Sequence, residues 1–262
     1  MKEILSKASA LINKLDAELL LAHVLCISRS ELLLSTHKEV NEKKFFELVE
    51  RRVKGEPIAY ILGYKDFWKD TFKVTPATLI PRPDTELIIE TALKYTPNTI
   101  LDLGTGSGCI ALSLLREFHN AKATCVDISP QALEVAHSNA VNLGLADRCD
   151  FIASTWFGNL EKKKFDLIVS NPPYIAVTDE LGAGVKEFEP HTALFAENNG
   201  LEAYEKIALG ASDHLNENGI VIVEIGKGQE LAVQNIFCNY QLLSIEKDLS
   251  GINRVLAFRR VK

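Results

Sequence analysis

The tetrapeptide Asn171-Pro172-Pro173-Tyr174 follows an apolar run at 165–170, which predicts a buried strand. Each proline lacks an N–H group and restricts the residue before it, so the carbonyls of Asn171 and Pro172 have no nearby competing donor. With the side-chain oxygen of Asn171, these acceptors could take both hydrogens of one NH2 group, while Tyr174 lies against the planar group. The pattern predicts a site for an amide, an amidine-like base edge or an aromatic amine. The alternative is a proline-stiffened turn.

A five-residue glycine-rich turn lies between a predicted strand at 99–103 and a predicted helix at 108–118. Glycine adopts positive φ without strain and lets the backbone approach a ligand closely, so this order of elements is typical of a cofactor site. The turn consists of Gly104, Thr105, Gly106, Ser107 and Gly108. Its G-x-G-x-G spacing departs from the G-x-G-x-x-G fingerprint of dinucleotide sites.

Carboxylates lie on both sides of the glycine turn. Asp102 precedes it, and Asp127 follows the next predicted strand, at 122–126. A carboxylate about twenty residues after a glycine turn suits a pair of ribose hydroxyls, although Asp127 could instead cap the helix that starts at Pro130. An acid before the turn suits a cation better than a pyrophosphate. S-adenosylmethionine, which carries a sulfonium and an ammonium group, therefore fits better than NAD.

Trp156 and the other candidate residues follow predicted strands, so a sheet must position them. An aromatic side chain at the carboxyl edge of a sheet could flank an adenine ring, or it could be a core residue under a loop. From Thr99 onward strands alternate with helices, which predicts an α/β fold with a mainly parallel sheet and helices on both faces. The predicted strands are 99–103, 122–126, 149–153, 165–170, 219–225, 241–247 and 254–259, and the predicted helices are 108–118, 130–142, 201–215 and 228–238. The last two strands are expected to form an antiparallel pair at one edge.

The residues before this α/β region predict a small helical bundle. Asp16 is expected to cap a helix over 17–25, and Asn41 a helix that runs to Lys54 and ends at Gly55. No catalytic grouping lies among these helices, which favours a recognition or docking role.

Three parts of the chain are predicted: a helical docking domain at 1–70, a linker or β-hairpin region at 71–86, and the α/β domain at 87–262. Asp84 or Thr85 is expected to cap the first helix of the last part, at 87–95.

The composition is that of an ordinary globular protein, with 47% hydrophobic and 24% charged residues among 262. No apolar run approaches the ~20 residues needed to cross a membrane, and the first residues lack a signal-peptide core. The five cysteines are widely spaced, which indicates reduced thiols in a cytoplasmic protein, and neither they nor the six histidines show metal-ligand spacing. The net charge of −6 disfavours a nucleic-acid substrate.

The glycine turn, Asp127 and the tetrapeptide at 171–174 resemble the class I S-adenosylmethionine-dependent methyltransferases that act on planar nitrogen. Four further segments narrow the resemblance to the release factor glutamine methyltransferases, and it then spans nearly the whole chain. These segments are 55–60, 80–86, 188–190 and 248–251. The resemblance implies a Rossmann-like, seven-stranded methyltransferase domain behind a small helical bundle.

The resemblance also implies an activity, namely methylation of the side-chain nitrogen N5 of the glutamine in the Gly-Gly-Gln motif of class 1 peptide chain release factors. It implies that residues 104–108 cradle the cofactor, that Asp127 binds its ribose and that Trp156 lies beside the adenine. Residues 171–174 would hold the glutamine amide, and Asn171 would also contact the cofactor. Family members often carry Asp before the tryptophan, where this chain has Thr155.

Asn171 and the Pro172 carbonyl are the predicted catalytic acceptors, with Tyr174 closing the pocket. They would bind the amide NH2 and favour a more pyramidal nitrogen, which attacks the methyl group and then loses its proton without a strong base. A nucleic-acid amino-methyltransferase could use the same tetrapeptide on a flipped base, but a basic cleft or a target-recognition insertion would be expected. A module that only binds cofactor and docks on the translation machinery would leave the tetrapeptide without a function. The resemblance implies a class 1 release factor as the partner, and no membrane and no direct nucleic-acid substrate are expected.

Overall fold

A seven-stranded central sheet carries the elements that hold the candidate residues. The computed structural model describes residues 1–34, 39–179, 182 and 184–261. The chain divides into a smaller unit, the described residues of Met1–Tyr64 and Leu181–Phe188, and a larger unit, the described residues of Lys65–Glu180 and Glu189–Lys262. The segment 71–86 thus belongs to the larger unit.

The central sheet is mainly parallel, as the alternation of elements predicts. The strands in chain order are β1 (Tyr64–Phe67), β2 (Asp70–Lys73), β3 (Thr99–Leu103), β4 (Lys122–Asp127), β5 (Cys149–Ala153), β6 (Phe165–Ser170), β7 (Ile175–Ala176), β8 (Phe195–Ala196), β9 (Leu215–Glu224), β10 (Tyr240–Lys247) and β11 (Asn253–Arg260). The sheet order is β10-β11-β9-β6-β3-β4-β5, while β1 with β2 and β7 with β8 form separate two-stranded sheets. From β9 to β5 neighbours are parallel, and β11 pairs antiparallel with both β9 and β10. The predicted antiparallel edge pair is confirmed, and β9 begins at Leu215, before the predicted residue 219.

Helices fill the connections between strands and form the smaller unit. The helices of the smaller unit are Lys2–Ser9, Lys14–Val24, Arg29–Leu34, Glu42–Val53, Ile58–Leu62 and Val185–Phe188. Those of the larger unit are Glu86–Ala92, Cys109–Glu117, Pro130–Asn142, His191–Leu194, Glu197–Gly200, Glu202–His214 and Glu230–Ile236, with 3-10 turns at Pro83–Thr85 and Ala146–Arg148. Within the described part of the chain, no helix combines the length and the apolar character needed to cross a membrane.

The connections of β3 explain why the candidate residues meet. The chain leaves β3 through the helix Cys109–Glu117 to β4 on one side, whereas β6 pairs with β3 on its other side. At such a reversal of strand order the two connections diverge, and they leave a crevice at the carboxyl ends of the strands. The glycine turn after β3, Asp127 at the end of β4 and Asn171 after β6 all lie at this edge.

Successive apolar side chains of a strand point to opposite faces of the sheet, and helices cover both faces. On β3, Ile100 packs in one buried cluster, whereas Leu101 and Leu103 pack in the other. The first cluster includes Leu112 of the helix after β3, and the second includes Tyr204 of the helix before β9. This alternation is the pleat of a strand that is buried on both faces.

In the smaller unit, Asn13 rather than Asp16 caps the second helix. The side-chain oxygen of Asn13 accepts a hydrogen bond from the backbone N–H of Asp16 at 2.8 Å, so the helix begins at Lys14. The Asp16 carboxylate instead pairs with Arg52 at 2.7 Å. Asn41 caps its helix as predicted, by accepting from the Lys44 N–H.

Asn139 anchors β2 to the helix Pro130–Asn142. Its side chain is buried; its oxygen accepts from the Lys73 N–H at 2.8 Å, and its nitrogen donates to the carbonyls of Lys73 at 3.0 Å and Ser107 at 2.8 Å. One amide therefore satisfies three backbone groups and ties β2 to the glycine turn. A buried backbone group that loses its partner destabilises the folded state.

We expect Asn139→Ala to lower the free energy of unfolding by about 2–4 kcal/mol, because it leaves buried backbone groups unpaired. Urea unfolding followed by tryptophan fluorescence measures the change. Asn142→Ala, at an exposed position of the same helix, is the matched control and should change stability by less than about 0.5 kcal/mol. Equal effects of the two substitutions would contradict the anchoring role of Asn139.

Candidate functional site

A cavity of about 310 Å³ opens at the carboxyl edge of the sheet, within the larger unit. The predicted site residues that line it are Gly104, Thr105, Gly106, Ser107, Asp127, Trp156, Asn171 and Pro173. Gly108, Pro172 and Tyr174 are not among its lining residues. The structure thus brings the glycine turn and the start of the tetrapeptide to one cavity.

Gly104 and Gly106 form an open cradle on the cavity wall. Their φ angles are +74° and +54°, and a Cβ atom on either would meet no atom within 4 Å. Glycine is needed here for the positive φ, and the free space leaves room for a ligand. Gly108 has a different role, because its Cβ would lie 3.2 Å from Ala136, in the close packing of two helices.

The backbone N–H groups of the turn are largely occupied by the protein itself. Those of Gly104 and Thr105 both donate to the Val126 carbonyl at 2.9 Å, and that of Gly106 donates to the Asp127 carboxylate at 2.9 Å. A phosphate-binding loop aims such groups at its ligand. Their use inside the protein supports the prediction that this site does not hold a pyrophosphate.

Asp102 lies under the glycine turn and is not on the cavity wall. The Thr105 hydroxyl donates to its carboxylate at 2.6 Å, which holds the turn against β3. Its other oxygen, Oδ1, has no hydrogen-bond partner among the described residues. Complete burial raises the pKa of Asp102 to about 7. The sequence interpretation, in which this acid faces a cationic ligand, therefore applies better to the carboxylates that line the cavity.

Asp127 presents a fixed carboxylate to the cavity. Its two oxygens accept from the N–H groups of Gly106 and Ser129, each at 2.9 Å, and burial raises its pKa. The alternative role as a helix cap is wrong, because Ser129 caps that helix by accepting from the Ala132 N–H. Each carboxylate oxygen retains a lone pair for a ligand hydroxyl.

The charges on the cavity wall favour a cationic or neutral ligand. Asp127 and Glu202 contribute carboxylates, and Arg82 contributes a guanidinium group. Arg82 is paired with the buried Glu189, so its charge is already balanced. Trp156 adds an aromatic wall, with the exposed Ile128 also on the lining. The residues present therefore fit a ligand with a ribose, a planar base and a positive charge.

The tetrapeptide is held by a buried polar chain that sequence reasoning missed. The Asn171 Nδ2 donates to the Thr85 hydroxyl at 3.1 Å, and this hydroxyl donates to Glu224 at 2.6 Å. The Tyr174 hydroxyl donates to the other oxygen of Glu224 at 3.3 Å. Tyr174 thus faces Glu224, and burial beside this carboxylate raises its pKa. The carbonyl of Tyr174 accepts from Gln229.

Thr85, one of the two residues expected to cap the next helix, uses its side chain for a different hydrogen bond. It stands before the helix Glu86–Ala92 but makes no side-chain cap hydrogen bond. Its hydroxyl is committed to Glu224, which is buried at the end of β9. The proline-stiffened segment around it, interpreted as a linker, lines the cavity with Leu79, Pro81 and Arg82. The sequence signal that could have identified Glu224 is a carboxylate at the end of a predicted buried strand.

Two family models match the chain. Residues 1–63 match the PrmC N-terminal domain, and residues 83–200 match the Methyltransferase small domain. The release factor glutamine methyltransferase of Koribacter versatilis is 38% identical over 94% of this chain and 91% of that protein. The bifunctional methyltransferase of Rickettsia felis is 41% identical over 98% of this chain and 58% of that protein. The chain thus spans little more than half the length of this bifunctional protein.

The fold matches those of solved methyltransferases. A crystal structure of a methyltransferase from Pyrococcus furiosus has a TM-score of 0.57 and 20% identity, and the match covers 73% of this chain and 89% of that one. This likeness confirms the Rossmann-like α/β fold with its seven-stranded sheet. The 38% identity over nearly the full length of the Koribacter protein leads to one further conclusion: the chain belongs to the release factor glutamine methyltransferase family.

Proposed function

We propose that this protein transfers a methyl group to the side-chain nitrogen N5 of the glutamine in the Gly-Gly-Gln motif of class 1 peptide chain release factors, and so modulates translation termination. S-adenosylmethionine is the methyl donor. The observation that carries the proposal is that Asn171 and Pro173 line the same cavity as the glycine turn and Asp127. An acceptor for an amide NH2 thereby shares one cavity with a cradle for the cofactor.

Different residues on the cavity wall would contact different parts of the cofactor. The open backbone at Gly104 and Gly106 would admit it, Asp127 would accept from its ribose hydroxyls, and Trp156 would pack beside its adenine. When bound, the cofactor supplies an electrophilic methyl group on a sulfonium. The carboxylates of Asp127 and Glu202 would favour this positive charge.

The substrate amide is a poor nucleophile, because its nitrogen lone pair is delocalised; the rotation barrier of ~18–20 kcal/mol for a peptide bond shows the scale of this resonance. The oxygens of Asn171 and Pro172 would each accept one hydrogen of the NH2 group and favour a more pyramidal nitrogen; of these two residues, Asn171 is the one that lines the cavity. Both groups are neutral, so no unpaired charge is buried. The chain's part is to orient the nitrogen, and positioning of this kind lowers barriers substantially.

A flipped nucleobase offers a similar NH2 group, and so it is the alternative that the experiments must exclude. The net charge of −6 gives the chain no overall attraction for phosphates. The release factor is favoured because the family is shown over nearly the full length of a relative that bears this name.

The smaller unit is assigned to docking of the release factor. A single glutamine side chain offers few contacts, so selection of one glutamine in a protein requires a second surface. The smaller unit has its own helical core, around Leu20, Leu21 and Phe45, and it matches a separate family model.

We expect Asn171→Ala to lower the methylation rate by about 10²- to 10³-fold, the usual effect of removing one oriented polar group from an active site. Cofactor binding should stay largely intact, because Gly104, Gly106, Asp127 and Trp156 on the cavity wall are unchanged and the predicted Asn171 contact is one among several. Transfer of label from S-adenosylmethionine to purified release factor, with bulk RNA and DNA as parallel substrates, measures both the rate and the target. Label on nucleic acid alone would overturn the proposal.

Asp127→Asn should weaken S-adenosylmethionine binding by about 10- to 100-fold, because hydrogen bonds to a charged group contribute about 1.5–3 kcal/mol. Calorimetric titration gives the dissociation constant. Asp147→Asn, at an exposed position on the short turn before β5, is the matched control. An unchanged constant in Asp127→Asn would exclude Asp127 from the cofactor site.

An intact release factor should be methylated with a kcat/KM at least about tenfold above that of a short Gly-Gly-Gln peptide, if a docking surface adds even ~1.4 kcal/mol of binding. The comparison uses the full-length enzyme and both substrates over a range of concentrations. A peptide that is used as efficiently as the intact factor would contradict docking by the smaller unit.

A further inference from the structure

We propose that Thr85 and Glu224 are positioning residues that fix the side-chain amide of Asn171 with its nitrogen turned inward, so that its oxygen is presented to the substrate. The inference rests on the proposed function, because it assigns a direction to the acceptor that binds the substrate NH2 group. Neither residue is expected to contact the reacting atoms through its functional group.

The direction of the amide follows from counting hydrogens. A threonine hydroxyl has one hydrogen and two lone pairs. In Thr85 this hydrogen is directed at the Glu224 carboxylate over 2.6 Å, a short bond to a charged acceptor. The hydroxyl can therefore only accept from Asn171, which it does from Nδ2 at 3.1 Å. The reverse orientation of the amide would place two lone pairs against each other.

Burial of Thr85 and Glu224 strongly favours this one orientation of the Asn171 amide. Thr85, which also contributes to the cavity lining, and Glu224 are each 1% exposed, so water has little access to either group. An unpaired buried polar group costs free energy comparable to a lost hydrogen bond. The amide of Asn171 thus has one satisfied orientation, in which Oδ1 lies on the side away from Thr85.

The same carboxylate holds both ends of the tetrapeptide. Its second oxygen accepts from the Tyr174 hydroxyl, and Glu224 ends β9, whose Val223 pairs with Ser170 immediately before Asn171. The loop after β6 is therefore fixed by main-chain pairing on one side and by Glu224 on the other. One buried carboxylate thus bonds both the hydroxyl that orients Asn171 and the hydroxyl of Tyr174.

The protonation state of Glu224 decides whether this arrangement persists. A protonated Glu224 can donate to Thr85, which frees the hydroxyl hydrogen for Asn171 Oδ1 and permits the amide to turn. Burial raises the pKa of Glu224 to about 7. The charged and titratable groups that act with it are Asp84, Cys109, Tyr174, Tyr204 and Arg254. The ionised form is the competent one, so the rate should rise with pH through this range.

Thr85→Val keeps the shape of the side chain and removes the hydroxyl. We expect the single-turnover methylation rate to fall by about 10- to 100-fold, as for other losses of alignment, while the dissociation constant for S-adenosylmethionine stays within about twofold. Thr85→Ser restores the hydroxyl and should recover most of the rate. Thr91→Val is the matched control, because the buried Thr91 lies on the following helix and its hydroxyl donates to the Leu87 carbonyl. The rate of this variant should equal that of the wild type.

Glu224→Gln supplies an independent measurement, which also serves if Thr85→Val does not fold. The glutamine NH2 group can donate to Thr85 at any pH, so the variant should be slow and should lose the rise in rate near pH 7 that the wild type shows. Asp102, with its raised pKa, remains in this variant. Persistence of the pH-dependent rise would therefore overturn the assignment to Glu224.

The outcomes separate this inference from the proposed function. A wild-type enzyme that does not methylate release factor would overturn the proposed function. If wild type methylates the factor, Asn171→Ala does not, and Thr85→Val is as fast as Thr91→Val, then the positioning role alone is wrong. A rate in Thr85→Ser as low as in Thr85→Val would overturn it as well, since the hydroxyl would then have no effect.

Discussion

The reversal of strand order at β3 is the constraint on which the site depends. Because β4 and β6 pair with opposite sides of β3, three loops from distant parts of the chain end at one crevice. The glycine turn, Asp127 and Asn171 need no direct contact with one another to be brought together. The strand register then fixes how far along the sheet each of these three residues lies, since Asp102 pairs with Cys125 on one side and with Val169 on the other.

Three carboxylates hold the converging loops in place; Asp102 and Glu224 are buried, and Asp127 is partly exposed on the cavity wall. Asp102 holds the turn through Thr105, Asp127 holds it through Gly106, and Glu224 holds Asn171 through Thr85. The N–H groups of Gly104, Thr105 and Gly106 donate to the Val126 carbonyl and to Asp127, so the turn offers few backbone donors to a ligand. Such a surface suits a ligand that brings its own hydrogens and a positive charge, and it is the opposite of a phosphate site.

Local patterns predict the fold well, whereas several side-chain roles depend on partners that are distant in the chain. The bounds of β3 and β6 agree with the predicted bounds, because the apolar runs of these strands are buried on both faces. Asp16 does not cap its helix, because Asn13 does so and the Asp16 carboxylate pairs with Arg52, 36 residues away. Thr85 looked like a cap because its partner Glu224 lies 139 residues away. The predicted cofactor contact of Gly108 stays a prediction, and the packing of Gly108 against Ala136 could not be read from the local pattern.

The proposed site needs an ionised Glu224, whereas a protonated Glu224 would make the fold more stable. Burial raises its pKa and that of Asp102 to about 7, above the value near 4 that an unfolded chain gives. The folded state then binds protons more tightly than the unfolded state, so the stability from these groups is full below pH 4 and is lost as pH rises through 7. Yet only ionised Glu224 leaves Thr85 unable to donate to Asn171. The orientation of the acceptor is therefore maintained at a cost in folding free energy, which the extensive apolar core on both faces of the sheet offsets.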